Sequence, residues 1–237
     1  MTVTTTPVPA RTDAPTADVE RPVRTRGGSR PLAVALLAAP LALLGGILLH
    51  PDDAHGFTRT MEVVRDGQLQ WGAVHLLEPA AWVLLGLAML LAMPRLAAER
   101  GRRPLVAGGV LCAVGFTSIG LIVYGHGEAF LHLSALDPEV TAGYAPLFER
   151  FETGMPLAAV PSLLSKVGLL LVAAGLVRAR TVPLPVALGV VVAAVVMGGL
   201  VAGLPFGLGF VVTFGPFVAL ALCAFRRLAT TGGPALG

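Results

Sequence analysis

The chain has 237 residues, a formal net charge of +3, 55% hydrophobic residues, 13% charged residues and a mean hydropathy of +0.79. Soluble domains carry about 25% charged residues, so this composition excludes an ordinary water-soluble globular protein. The two cysteines, Cys112 and Cys223, lie inside apolar stretches. They are therefore interpreted as small buried side chains and indicate neither a disulfide nor a zinc centre.

Six apolar runs follow one another along the chain, each about as long as the roughly 20 residues that a transmembrane helix requires. They are rich in Leu, Ala and Val without period-two alternation, so they predict helices. The predicted fold is all-α, a polytopic bundle of six transmembrane helices over residues 31–227. These helices are placed at about 32–50, 73–93, 104–125, 156–178, 183–203 and 206–225. A disordered basic tail, 1–30, is predicted before the bundle and a short tail, 228–237, after it.

Arginine is concentrated in every second gap between the apolar runs. The arginine-rich segments are the tail 1–30, the gap 94–103, Arg178 with Arg180, and Arg226 with Arg227. By the positive-inside rule, this pattern predicts a multi-pass protein of the cell membrane with both termini in the cytoplasm. The basic inner rim is expected to attract anionic lipid. Nucleic acid binding is not expected, because these arginines lie too close to the helix ends.

Two longer segments, 51–70 and 126–155, fall on the predicted outer side. Apolar residues recur in both at helical spacing, and Asp137-Pro138-Glu139 has the pattern of a helix start. We expect short amphipathic helices that lie on the outer membrane surface. The alternative is that each segment is an ordinary loop folded over the bundle.

All five histidines belong to the predicted outer half of the protein. His50 ends the first predicted helix, His75 lies near the start of the second, and His126 ends the third. If these helices are neighbours, the three imidazoles converge and form a candidate site for Zn²⁺ or Cu²⁺. Two of them facing each other could instead bind haem, and imidazole also suits proton-linked chemistry. The alternative is a set of solvated rim histidines, and no motif requires a cofactor.

His75 and Glu78 share one helix face, and Pro79 opens the hydrogen-bond ladder beside them. Lys166, the single lysine in the chain, lies within the fourth apolar run, where a charge is costly. We therefore consider His75, Glu78 and Lys166 as a ligand or proton site, with Lys166 paired to Glu78. Alternatively, the lysine extends along its stem to the outer interface.

The residues Leu48-Leu49-His50-Pro51 close the first predicted helix, and Trp71 with His75-Leu76-Leu77 opens the second. A long acidic outer loop follows the third. This order resembles a class of uncharacterised six-helix integral membrane proteins of actinobacterial type. The resemblance covers roughly the first half of the chain and implies the fold alone, because the class has no established activity to transfer.

The leading functional hypothesis is a non-enzymatic plasma-membrane protein. Its outward-facing His/Glu cluster would bind a proton, a metal ion or a small ligand, or would stabilise the bundle. The first alternative is a transporter or permease component that works through His75, Glu78 and Lys166. The second is a membrane-bound metal or haem protein. No catalytic residue, substrate or protein partner is indicated by the sequence.

Overall fold

The computed structural model of the protein describes residues 29–51, 56–97, 99–148, 156–196 and 206–230. Within these ranges the chain consists of helices and connecting turns without any strand, which confirms the predicted all-α class. Most of the predicted first tail and of the predicted last tail lies outside the described residues.

Eight α-helices are described, and a 3₁₀ turn at Glu99–Gly101 joins the third to the fourth. The helices are α1 Ser29–Leu49, α2 Phe57–Asp66, α3 Gln68–Leu96, α4 Arg102–Ser134, α5 Pro138–Ala142, α6 Pro156–Ala179, α7 Leu184–Val195 and α8 Phe206–Thr230. Four stretches are long and apolar enough to cross a membrane. They are Pro31–Leu49, Gln68–Leu96, Glu99–Ser134 and Ala159–Ala179. The apolar stretches described in α7 and α8 are shorter, and the predicted fifth helix, 183–203, extends beyond the described residues.

The six apolar helices α1, α3, α4, α6, α7 and α8 pack in chain order around a common core. Helix α3 packs against α1 and α4, α6 packs against α4 and α7, and α8 packs against α7 and α1, so the series closes on itself. Aromatic rings from three helices meet inside this ring, at centroid distances of 5.5 to 6.3 Å. They are Trp82, Phe116, Phe214 and Phe217. The core is therefore filled by bulky side chains.

Glycines on α4 allow close approach of helices on two of its faces. A Cβ atom on Gly120 would lie 2.9 Å from the carbonyl oxygen of Pro79 in α3, and one on Gly115 would lie 2.6 Å from the amide of Ser165 in α6. Residues later in α4 contact residues that come earlier in α3 and α6, so α4 runs antiparallel to both helices. Because α1 and α3 are antiparallel as well, the end of α1, the start of α3 and the end of α4 lie at one end of the bundle.

Helix α4 continues to Ser134, about two turns beyond its predicted end at residue 125. The polar side chains of this extension lowered its apparent hydropathy, but its Phe130 is buried and packs against Trp71 of α3 and Phe57 of α2. His126 is therefore inside a helix instead of ending one. Similarly, α3 begins at Gln68, earlier than the predicted residue 73.

Within the described residues both outer segments contain helices, and α2 combines the predicted helix with the position over the bundle that was expected for a loop. Its Phe57, Met61 and Val64 are buried in a cluster with Trp71 and Phe130, so α2 covers the end of the bundle. At α5, the Asp137 carboxylate accepts a 2.9 Å hydrogen bond from the Glu139 amide, with Pro138 in the first turn. This observation confirms the predicted helix start.

Candidate ligand site at the histidine end

Three histidines from three different helices meet at the end of the bundle covered by α2. The ring centroids of His50 at the end of α1 and His75 on α3 are 5.3 Å apart. The centroids of His75 and His126 on α4 are 6.2 Å apart. His75 is buried, with 5% of its surface exposed, whereas His50 and His126 are half-buried. The structure therefore places the three predicted residues around one central imidazole. We call them the histidine site.

Trp71 holds the central imidazole in place. It lies one helical turn before His75, and the two rings stack with their centroids 4.1 Å apart. The His75 Nδ1–H donates a 3.0 Å hydrogen bond to the Trp71 carbonyl, and the Trp71 indole Nε1–H donates a 3.1 Å bond to the Gly127 carbonyl of α4. These two bonds fix the His75 ring on α3 and tie α3 to α4 at this level.

Gly127 lets α4 approach the His75 side chain. A Cβ atom at position 127 would overlap the Cβ and Cγ atoms of His75. Because no side chain intervenes, the imidazole lies directly against the α4 backbone, between His126 and Trp71. Burial of His75 in this position therefore requires glycine at position 127.

The hydrogen bonds define the tautomers of two of the imidazoles. A carbonyl oxygen only accepts, so Nδ1 of His75, which bonds the Trp71 carbonyl, carries a proton. Nδ1 of His50 lies 2.9 Å from the Pro51 carbonyl oxygen and carries a proton for the same reason. In the neutral form each ring therefore has its lone pair on Nε2. Within the described part of the chain, the only hydrogen bond of the His75 ring is the one from Nδ1.

The predicted three-histidine metal centre is not preformed. Among the described residues, no three histidine, cysteine, aspartate or glutamate side chains are grouped so that they could hold one metal ion together. The pair His50 and His75 is closer than the pair His75 and His126. His126 instead lies 4.7 Å from the ring of Phe130.

Glu78 lies one turn deeper than His75 on α3, at the contact with α1. A Cβ atom on Gly46 would overlap the Glu78 Cγ and would come within 3.2 Å of Oε1. The carboxylate side chain is therefore accommodated by a notch in α1, one turn before His50. This location brings Glu78 to the α1–α3 contact.

Lys166 is not brought to Glu78. Glu78 precedes Pro79, which faces Gly120 of α4. Lys166 comes two residues before Gly168, which packs against the Cys112 amide, so Lys166 lies near the level of Cys112. At about 1.5 Å per residue, the two levels differ by on the order of 12–15 Å along the bundle. Lys166 is also on α6, which packs against a different face of α4 than α3 does. The predicted pair would need both side chains at one level and on one face of the bundle, and they are at different levels on different faces. Extension of the lysine stem toward an interface is the simpler interpretation.

The other two histidines differ from these three. His132 projects from the outer end of α4, where its Nε2 lies 3.6 Å from a carboxylate oxygen of Glu128, with 83% of the His132 side chain exposed. It is a solvated rim histidine on the last turns of α4. His55 lies outside the described residues.

Sequence reasoning identified the three histidines and Glu78 but not the residues that position them. Trp71 had a detectable signal, because an aromatic residue four positions before a histidine lies on the same helix face. Gly127 and Gly46 had none, since glycine is common throughout the apolar runs and its partner is known only once helices are placed.

No protein-family model matches this chain, and neither a curated protein nor a solved structure with significant similarity to it was found. The functional interpretation therefore depends on the geometry of the histidine site and on the distribution of apolar and charged residues.

Proposed function

We propose that the chain is a six-span integral protein of the plasma membrane, with both termini in the cytoplasm. In this proposal the histidine site faces outward and binds a proton, a metal ion or a small ligand, and the protein is not an enzyme. On this proposal, the chain shares its fold with the six-helix membrane proteins whose pattern its first half resembles. The four long apolar helices and the closed packing order of all six support the proposed number of spans.

The distribution of arginine supports the orientation. The α3–α4 and α6–α7 connections lie at the end of the bundle opposite to the histidine site. Their arginine side chains are exposed: Arg95, Arg100, Arg102, Arg103, Arg178 and Arg180. The positive-inside rule assigns this end to the cytoplasm, where it would contact anionic lipid headgroups. From Arg102 to His126 the α4 axis extends about 36 Å, which puts the histidine site near the outer boundary of a hydrocarbon core of about 30 Å.

The single observation that carries the functional proposal is the burial of His75 between two other imidazoles. A buried imidazole costs free energy unless its polar atoms are satisfied, and its Nδ1 is satisfied by the Trp71 carbonyl. Its Nε2 can accept a proton or bind a cation, and the half-buried His50 and His126 flank it. A purely structural position would be filled more stably by an apolar residue.

The second candidate function is that of a transporter or permease component. It is favoured by the notch at Gly46, which accommodates Glu78 between α1 and α3, one turn deeper than the histidine site. A cation bound at His75 would have the Glu78 carboxylate one turn deeper in the bundle. Lys166 would act separately, at a deeper level. Flux measured in proteoliposomes would separate this candidate from a binding protein.

The fluorescence of Trp71 provides a direct test. The chain has two tryptophans, so the Trp82→Phe variant leaves Trp71, stacked on His75, as the sole reporter. In right-side-out vesicles, acidification of the external medium should protonate the histidine site, and the stacked imidazolium should quench Trp71. His75→Gln in the same background should abolish this response.

Two results would contradict the proposal. The first is a Trp71 emission that does not change as the external medium is acidified over the whole pH range in which the protein stays folded. The second is a response to internal pH alone, which would place the histidine site on the cytoplasmic side.

A further inference from the structure

The spacing of the His50 and His75 rings suits a metal ion as well as a proton. Two imidazoles that bind one Zn²⁺ at a tetrahedral angle, through nitrogens about 2.0–2.1 Å from the metal, have ring centroids roughly 5 Å apart. The observed separation is 5.3 Å, and the ring planes are tilted by 58°. The spacing of the two rings is therefore compatible with a shared metal ion.

Each of the two rings makes the kind of second hydrogen bond that metal-binding histidines make. A metal-binding histidine generally donates its second ring N–H to a carbonyl or carboxylate, which fixes the ring and raises the basicity of the nitrogen that binds. The Nδ1 of His75 meets the Trp71 carbonyl at 3.0 Å, and the Nδ1 of His50 meets the Pro51 carbonyl at 2.9 Å. In both residues the lone pair is consequently on Nε2.

We propose that Nε2 of His75 and Nε2 of His50 bind a divalent transition metal ion, Zn²⁺ or Cu²⁺, from the outer side, with water in the remaining positions. This proposal rests on the proposed function and names the ligand class of the same site. Neutral imidazole nitrogen suits zinc and copper, whereas Mg²⁺ and Ca²⁺ require oxygen ligands. His126, at 6.2 Å from His75, borders the site without being a ligand. This two-residue site agrees with the lack of any three-ligand group among the described residues.

Access to this site is from the outer end of α1. His50 is half-buried and lies at the point where α1 ends, so one of the two ligands meets the outside directly. His75 is almost completely buried behind it, stacked on Trp71. The metal would therefore bind at the surface-facing side of His75, within about one ring diameter of the Trp71 indole.

The experiment uses Cu²⁺ and Zn²⁺ on the purified full-length chain in detergent, in a Trp82→Phe and His132→Ala background without an affinity tag. Replacing His132 removes the exposed His132–Glu128 pair, which could bind the same ions at the surface. Paramagnetic Cu²⁺ should quench Trp71 in one saturable step, Zn²⁺ should compete with it, and the electron paramagnetic resonance spectrum should show two imidazole nitrogens.

Added to this background, His50→Ala and His75→Ala should each weaken Cu²⁺ binding by roughly tenfold or more, because each removes a ligand. His126→Ala should leave the affinity within about threefold of the background. Elution of each variant as a single folded species in size-exclusion chromatography controls for misfolding. The spectrum of the background protein, which needs no ligand substitution, tests the assignment independently.

Non-saturable quenching, or a spectrum without two imidazole nitrogens, would overturn the metal assignment. An equal loss of affinity in His126→Ala would overturn the two-residue ligand set. If Trp71 responds to external pH while Cu²⁺ and Zn²⁺ do not bind, the metal assignment fails and the proposed function stands. If Trp71 responds to none of the three, both fail.

Discussion

Trp71, His75 and Gly127 form the smallest unit on which the histidine site depends. The Trp71 indole stacks on the His75 imidazole, the Trp71 backbone carbonyl accepts a hydrogen bond from Nδ1, and the indole N–H donates one to the Gly127 carbonyl of α4. Each contact restrains the same ring, and the absence of a side chain at position 127 gives that ring its space. The position of the ring is therefore set jointly by the Trp71 side chain and by the backbone at positions 71 and 127.

Gly127→Ala tests this dependence at a single atom. The added Cβ would overlap His75, so we expect the variant to lose about 1–3 kcal/mol of stability through overpacking and to show altered Trp71 emission. The measurement is thermal unfolding in detergent, followed by fluorescence in the Trp82→Phe background. The matched control is Gly125→Ala, two residues earlier on α4, where a Cβ would meet nothing within 4 Å. Equal stability of the two variants would mean that Gly127 does not limit the site.

The sequence was sufficient to identify His50, His75 and His126 as candidates, because they fall near the ends of consecutive apolar runs. It could not show that His75 is central and buried, since burial depends on the contact between α3 and α4. It also led to the pairing of Glu78 with Lys166, because both were assigned to similar depths from predicted helix starts. In the structure, the antiparallel register of α3, α4 and α6 puts the two residues at different depths.

The contact between α4 and α6 is built from glycines at seven-residue spacing. Gly108 and Gly115 of α4 face α6, and Gly168 and Gly175 of α6 face α4. Small residues at this repeat let two antiparallel helices approach until their backbones touch, which is how membrane helices associate without a hydrophobic driving force. The two helices thereby form a rigid pair that fixes the α4 face opposite to the histidine site.

Gly115→Ala and Gly168→Ala test this contact. Their Cβ atoms would lie 2.6 Å from the Ser165 amide and 2.7 Å from the Cys112 amide, and backbone cannot move aside as a flexible side chain can. We expect each variant to lose about 1–3 kcal/mol in thermal unfolding. Gly45→Ala serves as the control, because its Cβ would first meet a Leu77 methyl at 3.9 Å. A loss in Gly45→Ala as large as in the other two would show that any added methyl in a helix is responsible.

Element boundaries were predicted well where apolar composition alone decides them and less well where packing does. The predicted helix 156–178 and the described helix α6, Pro156–Ala179, cover nearly the same residues. The outer turns of α4 were missed, because His126, Glu128 and His132 make them polar although Phe130 anchors them to α2 and α3. Helix α2 was predicted from its spacing, but its contact with Trp71 and Phe130 required the placement of both long helices.

At the scale of the whole molecule, six apolar helices follow one another around a ring filled by aromatic side chains. Alternating direction along the chain puts the arginine-rich connections at one end and the histidine site, covered by α2, at the other. The protein thus has two chemically different ends. The proposed function requires the end with imidazoles to face outward and the end with guanidinium groups to face the cytoplasm.

Labelling of single cysteines with a membrane-impermeant maleimide in intact cells tests this orientation most directly. The background is Cys223→Ser, since the remaining Cys112 is fully buried. His132→Cys, at the exposed outer end of α4, should be labelled in intact cells. Arg178→Cys, at the exposed end of α6, should be labelled only after permeabilisation. Labelling of Arg178→Cys in intact cells together with protection of His132→Cys would place the histidine site in the cytoplasm and contradict the proposed function.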